Sequence, residues 1–346
     1  MTNGMHPTIP DPRPEDLVSP EILERIDRFG GEWTRAKLKA VSHYLRGYTK
    51  ALYKNPHFQR YYIDAFAGTG ICRLKRIHEP PSLEESFFAV TDSAEDAESD
   101  VIAGSALRAM CVKPQFTHHY FIEESAERAG ILEGICSTVL RDQHRYDVIV
   151  GDANLELIRL INSIDWRRHP YPRAAVFLDP YAVNVEWGTL RTLFATRAVD
   201  VWYLINTATI QRLLRRDPTA MSETSKQTLD RIFGTRDWET VVYQEPDDDE
   251  QSFGEQLSLF ETTDPPHAGL EKRLPMRALA SFIAQRARSD LGAWVYPKAL
   301  PLRNSKKAVA FCLMFMMANT DAKATGLASN LVNGIFTQQE GFDLVL

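Results

Sequence analysis

Between Tyr61 and Ile205 the chain alternates short apolar runs with helical stretches of roughly 10 to 15 residues, and this alternation restricts the fold more than any other feature. The runs Tyr61–Asp64, Phe116–Glu124, Tyr146–Gly151, Ala174–Leu178 and Val199–Ile205 read as strands. Between them, Ala126–Leu140, Leu155–Ile164 and Trp187–Ala198 carry apolar residues at helical spacing. Strands separated by helices predict a parallel sheet with right-handed crossovers and helices on its faces. Every strand of such a sheet delivers its last residues to one edge, where ligands bind near the point at which the strand order reverses.

The expected edge is rich in acids and glycines. The first strand runs into Asp64, Phe66, Ala67, Gly68 and Gly70; the second ends on Glu123 and Glu124; the third on Gly151, Asp152, Ala153 and Asn154; the fourth on Asp179, Pro180 and Tyr181. Glycines at the first turn let backbone approach a ligand without a Cβ in the way, and a helix expected to start directly after Gly70 would offer free N–H groups. Any one of these acids also serves as an ordinary helix N-cap or turn former. Together they suit a cationic, hydroxyl-bearing nucleoside, with Glu123 accepting from ribose hydroxyls, Asp152 and Ala153 at the adenine, and the glycine turn at an amino-acid end. The spacing Asp64-x-Phe66-x-Gly68-x-Gly70 lacks the third glycine of the dinucleotide fingerprint and begins with an acid, which disfavours an NAD-dependent oxidoreductase. It resembles motif I of class I S-adenosylmethionine-dependent methyltransferases.

With YIDAFAGTG, GSAL at Gly104, FIEES, GDAN, FLDPYAVNVEW and VDVWYLIN taken in order, residues 33 to 206 resemble the three-Cys-motif partner protein family (TcmP). Thr69 and Ala182 depart from that pattern, where relatives carry Pro and Gly. The resemblance implies a Rossmann-like class I methyltransferase fold: an α/β, mostly parallel sheet with a C-terminal antiparallel hairpin, N-terminal helices and helical inserts. It also implies S-adenosylmethionine as cofactor and a partner with a three-Cys motif, whose cluster this chain lacks. Asp179-Pro180-Tyr181 resembles the D/N-P-P-Y/F motif of enzymes that methylate base amino groups, with one proline missing. On that basis Asp179 orients a nucleophile and Tyr181 stacks, and nucleic acid is one acceptor. The alternative is a non-catalytic methyltransferase-like subunit that docks on the three-Cys-motif protein.

Around this core, residues 1–14 carry four prolines and read as a disordered tail. Residues 15–56 read as helices packing on the core: a short one capped by Ser19 with Pro20 at its start and closed by Gly30-Gly31, then a stronger one from Trp33 with Leu38, Val41, Leu45, Tyr48 and Leu52 in helical register, stopped by Asn55-Pro56. The rest, 57–346, reads as one α/β domain with inserts at 79–100 and 207–291. The first insert is rich in Pro, Ser and acid and reads as a flap or surface excursion; GSALRAMCV after it reads as a helix end. Within the second, WETVVY reads as a strand and 245–267 as an acidic loop, and the segments 79–100 and 245–267 are candidate interaction surfaces. Ala293–Leu302 and Val309–Asn319 read as a terminal hairpin around RNSKK.

Composition narrows the function classes. The apolar run through Phe311–Ala318 is far short of the ~20 residues of a membrane helix, and the N-terminus has no apolar signal region, so a cytoplasmic protein with no membrane association is expected. A net charge of -6 gives no global pull toward nucleic acid. Cys72, Cys111, Cys136 and Cys312 have neither disulfide-framework nor metal-ligand spacing, His118 and His119 read as structural, and no metal is expected.

Overall fold

The structure, a computed structural model, describes residues 14, 17–26, 30, 32–74, 101–215, 217–244, 271–272, 276–303, 309–336 and 344–346. The expected tail (all but Pro14), the 79–100 insert, the 245–267 loop and the turn after Arg303 lie outside these residues.

Helix α1 (Pro20–Arg25) starts as expected, the Ser19 hydroxyl accepting from the Ile22 amide. It ends before Gly30-Gly31, because Ile26 turns extended (φ -78°, ψ 121°) and buries its side chain. Helix α2 (Glu32–Tyr53) then runs across one face of the sheet, with Val41, Tyr44, Leu45 and Tyr48 buried. Strand β1 (Phe58–Asp64) follows and leads to Gly70, but the helix expected there does not begin. The chain instead forms β2 (Ile71–Arg73), paired antiparallel with β3 (Val101–Ala103), and only then enters α3 (Ser105–Cys111). Gly104 therefore starts a helix rather than ending one; Ala106, Leu107, Ala109 and Met110 are all buried, and that apolar cluster belongs inside the helix.

Next come β4 (His118–Glu123), α4 (Ala126–Leu140), β5 (Tyr146–Val150), α5 (Ala153–Ser163), β6 (Tyr171–Leu178), α6 (Trp187–Ala195) and β7 (Val199–Ile205), in the expected alternation. Beyond them lie α7 (Thr207–Leu213), α8 (Glu223–Phe233), α9 (Trp238–Val242), the short pair β8 (Tyr243–Gln244) and β9 (Glu271–Lys272), and α10 (Met276–Asp290). The WETVVY stretch is thus helix up to its last residue. Trp238 and Val242, one helical turn apart, are both fully buried, and the Trp238 indole donates to Asp230 of α8 at 2.9 Å. The chain closes with β10 (Trp294–Val295), β11 (Lys298–Arg303), β12 (Val309–Met317), α11 (Ala322–Phe336) and β13 (Leu344–Val345).

The main sheet has the order β13-β11-β12-β7-β6-β1-β4-β5, with β10 also paired to β12. Strands β7, β6, β1, β4 and β5 are mutually parallel, whereas β12 is antiparallel to both β7 and β11. Side chains alternate between two cores. Ile63, Val176, Val201 and Met314 pack with residues of α5, α6, α8 and α10, while Tyr62, Phe177, Trp202 and Phe315 pack with residues of α2, α3, α4 and α11. This is the Rossmann-like class I methyltransferase fold, a doubly wound sheet ending in an antiparallel hairpin. Chain order runs outward from β1 to β4 and β5 on one side and continues at β6 and β7 on the other, so the switch point lies between β1 and β6. No helix of the described residues is long and apolar enough to cross a membrane.

Candidate functional site

Because β6, β1, β4 and β5 are adjacent and parallel, their carboxyl ends line one edge in the order Asp179, Asp64, Glu123, Asp152. Three inter-strand steps of ~4.8 Å make this rim roughly 14 Å long, the scale of a nucleoside with a short tail. The structure therefore brings together the four strand ends singled out in the sequence.

The turn after β1 is held sideways before it is held by its own chain. Ala65 donates to the Phe177 carbonyl and Ala67 to that of Ile122, stitching the turn to β6 and β4. Asp64 is fully buried: Tyr62 Oη donates to its Oδ2 at 3.0 Å, and the Phe66 amide to its Oδ1 at 3.3 Å. Burial pushes its carboxyl up to about 6; a Ser105 hydrogen bond opposes the rise and the Asp179 charge adds to it. Asp64 thus shapes the turn from beneath, and Phe66, half-buried, leads out of it.

Gly68 sits at φ +59°, and its amide donates to Glu123 Oε2 at 2.9 Å. A Cβ built there meets nothing within 4 Å among the described residues, so the turn faces open space on that side of them. Gly70, at φ +78°, packs against Leu132. Its carbonyl accepts from the Gly104 amide at 2.9 Å, and a Cβ on Gly104 would lie 2.8 Å from that oxygen. The third glycine absent from the local motif is supplied from beyond the insert: Gly104 lets α3 close on the turn, as the last glycine of a contiguous fingerprint does. Its Ser105 neighbour reaches Asp64.

Glu123 is buried and densely partnered. Its Oε1 accepts from the Ser125 amide at 2.9 Å and from Arg128 Nε and Nη2 at 2.8 and 2.6 Å. Its Oε2 is shared with Gly68, so this carboxylate joins two strand ends. Asp152 caps α5 by accepting from Leu155 N at 2.9 Å, and Ala153 is the first helical residue. Val150 and Leu155 on either side are exposed apolar residues that residue type alone did not single out. Asn154 ties this end to the next, accepting from Glu186 N and Thr189 Oγ1 and donating to the Asn184 carbonyl.

At the fourth end Pro180 is buried and Tyr181 is 66% exposed. Asp179 has a partner outside every motif: Lys37 Nζ of α2 lies 2.5 Å from its Oδ2. Lys37 is only 3% exposed against 21% for Asp179, and its ammonium sits 4.7 Å from the centre of the Trp33 ring. A sequence signal existed, since Lys37 lies one turn from both Trp33 and Val41 on the buried stripe of α2, where a cation is out of place.

No family model matches the chain and no curated protein matches it, so the resemblance to the three-Cys-motif partner family gains no support from either comparison. Solved structures give distant likenesses. Trm1 from Pyrococcus horikoshii, in complex with S-adenosyl-L-methionine, is 10% identical with a TM-score of 0.38, over 84% of this chain and 56% of that one. An S-adenosylmethionine-dependent methyltransferase from Clostridium acetobutylicum is 10% identical with a TM-score of 0.32, over 80% and 90%. A DUF519 protein from Legionella pneumophila is 11% identical with a TM-score of 0.38, over 87% and 91%.

Proposed function

We propose that the rim binds S-adenosylmethionine and that the protein is a methyltransferase whose acceptor enters beside Asp179 and Tyr181. The observation that carries this reading is the alignment of four acid-bearing strand ends across the switch point, with a glycine turn that no described residue covers on its outer side. The residues fit the cofactor. Gly68 offers backbone that a ligand can approach; Glu123, already ionically tied to Arg128, accepts three hydrogen bonds on Oε1 but only one on Oε2, which leaves Oε2 able to accept one more, from a ribose hydroxyl. Asp152 and Ala153, at the end of β5, would meet the adenine beside the exposed Val150. When bound, the cofactor supplies a methyl group on a sulfonium, an electrophile strong enough that the protein need only exclude water and align the acceptor.

Asp179 does the aligning. With Oδ2 held by Lys37, Oδ1 can accept a hydrogen bond from an acceptor N–H or O–H and take up the proton released. Pro180 limits the backbone freedom of the turn, and the exposed ring of Tyr181 offers a stacking wall for a flat acceptor such as a nucleobase. Calorimetric titration of S-adenosylmethionine and S-adenosylhomocysteine tests the reading: saturable binding at micromolar concentration is expected, and no heat up to millimolar ligand would overturn it.

A second reading draws on the same Lys37–Asp179 pair. If that pair only braces α2 against the sheet, the protein is a methyltransferase-shaped subunit that docks on a three-Cys-motif partner. Asp179→Ala separates the two, since a scaffold keeps its biological activity and an enzyme loses it.

A further inference from the structure

Lys37 calls for an explanation that packing does not give. It occupies a buried position on α2 where an aliphatic side chain would serve, and a buried ion pair contributes little net stability, because desolvation of both charges offsets their attraction. Its surroundings are nevertheless specific. The ammonium is held between the Trp33 ring at 4.7 Å and Asp179 Oδ2 at 2.5 Å, and Trp33 is itself fixed by stacking on Phe311 at 4.4 Å. The charges of both Lys37 and Asp179 reach Cys72 on β2, and that of Asp179 reaches Asp64, so the pair lies within the cluster under the glycine turn.

We propose that Lys37 is a positioning residue that acts as the resident counter-ion of Asp179, setting the charge of the rim so that it holds a cationic sulfonium and its neutral thioether product on nearly equal terms. The inference rests on the cofactor reading above. Without Lys37, Asp179 would face the site as an uncompensated carboxylate, favouring the cationic ligand and retaining it. With Lys37 in place, Asp179 is paired whichever form is bound, and loss of positive charge on methyl transfer leaves no unpaired anion at that strand end.

The test uses the ratio of the dissociation constants of S-adenosylmethionine and S-adenosylhomocysteine, measured by calorimetry on the full chain, and needs no knowledge of the acceptor. Lys37→Met should shift that ratio toward S-adenosylmethionine, and Asp179→Asn, which leaves Lys37 unpaired, toward S-adenosylhomocysteine. Each shift should be on the order of tenfold, the effect of one partly buried unit charge. Lys37→Arg should keep the wild-type ratio. A merely structural role changes both affinities together and leaves the ratio alone, so an unchanged ratio, or a shift of the same sign in both variants, overturns the proposal. Should Lys37→Met fail to fold, Asp179→Asn decides the matter by itself. If the wild type binds neither ligand, the cofactor reading fails and this inference with it, a result distinct from binding without discrimination.

Discussion

Replacing Gly104 with alanine tests whether the rim is assembled from two separated pieces of chain. The backbone of Gly104 is ordinary (φ -73°), so alanine carries no conformational penalty there, and the whole cost is steric. The new Cβ would lie 2.8 Å from the Gly70 carbonyl oxygen and 3.0 Å from its carbon, and neither can swing aside as a side chain can. Relieving that overlap costs about 1–3 kcal/mol as overpacking, and parting the segments also weakens the 2.9 Å Gly104–Gly70 hydrogen bond, worth about 0.5–1.5 kcal/mol. The sum is about 1.5–4.5 kcal/mol, measurable by urea unfolding. Gly68→Ala is the control: φ +59° costs about 1–2 kcal/mol for a residue with a Cβ, but no described residue lies within 4 Å to be struck. Gly68→Ala should therefore be the more stable variant, yet bind S-adenosylmethionine at least about tenfold more weakly than wild type, because its methyl points into the space assigned to the ligand. If Gly104→Ala is as stable as wild type, the close approach of α3 is wrong. If Gly68→Ala binds with unchanged affinity, the turn is not a ligand cradle.

Two further outcomes follow from buried carboxylates. Asp200 is half-buried at the start of β7, where burial pushes its carboxyl up to about 7 against the opposing effects of Tyr44 Oη, which donates at 2.6 Å, and of Arg173. A raised carboxyl binds more protons folded than unfolded, so its contribution is full below about pH 4 and is lost as pH rises through 7. Asp200→Asn should therefore gain stability relative to wild type by about 1–3 kcal/mol between pH 4.5 and pH 8, as read by unfolding at the two values; a constant difference would refute the assignment. Glu123→Gln places an NH2 group where only acceptors fit, opposite either the Gly68 amide or the Arg128 and Ser125 donors. It should lower stability by about 1–3 kcal/mol and weaken S-adenosylmethionine binding, whereas Arg128→Ala should cost stability with a smaller effect on binding; equal effects on binding would refute a ribose role for the carboxylate.

What could be read from the chain and what could not divide along a physical line. The strand ends were legible because each is local: β7 needs only its run of apolar residues, α4 only Ser125 and the periodicity behind it, and the acids at 64, 123, 152 and 179 follow directly on their strands. The errors arose where a local pattern has two solutions that tertiary contacts decide. Val241 and Val242 favour a strand by residue type, but the indole of Trp238 finds Asp230 only if the segment is helical. Gly104 resembles a stop signal until Gly70 is seen packed against it across the excursion through β2 and β3. Lys37 and Asp179 are 142 residues apart, and no window of sequence contains both. The rim therefore draws on three stretches of chain, each supplying what the others lack: carboxylates from the sheet, the closing glycine from beyond the insert, and a buried cation from α2. Its electrostatics cannot be altered through the sheet alone, and a substitution on the inner stripe of α2 should register at Asp179 as directly as one in the turn that carries it.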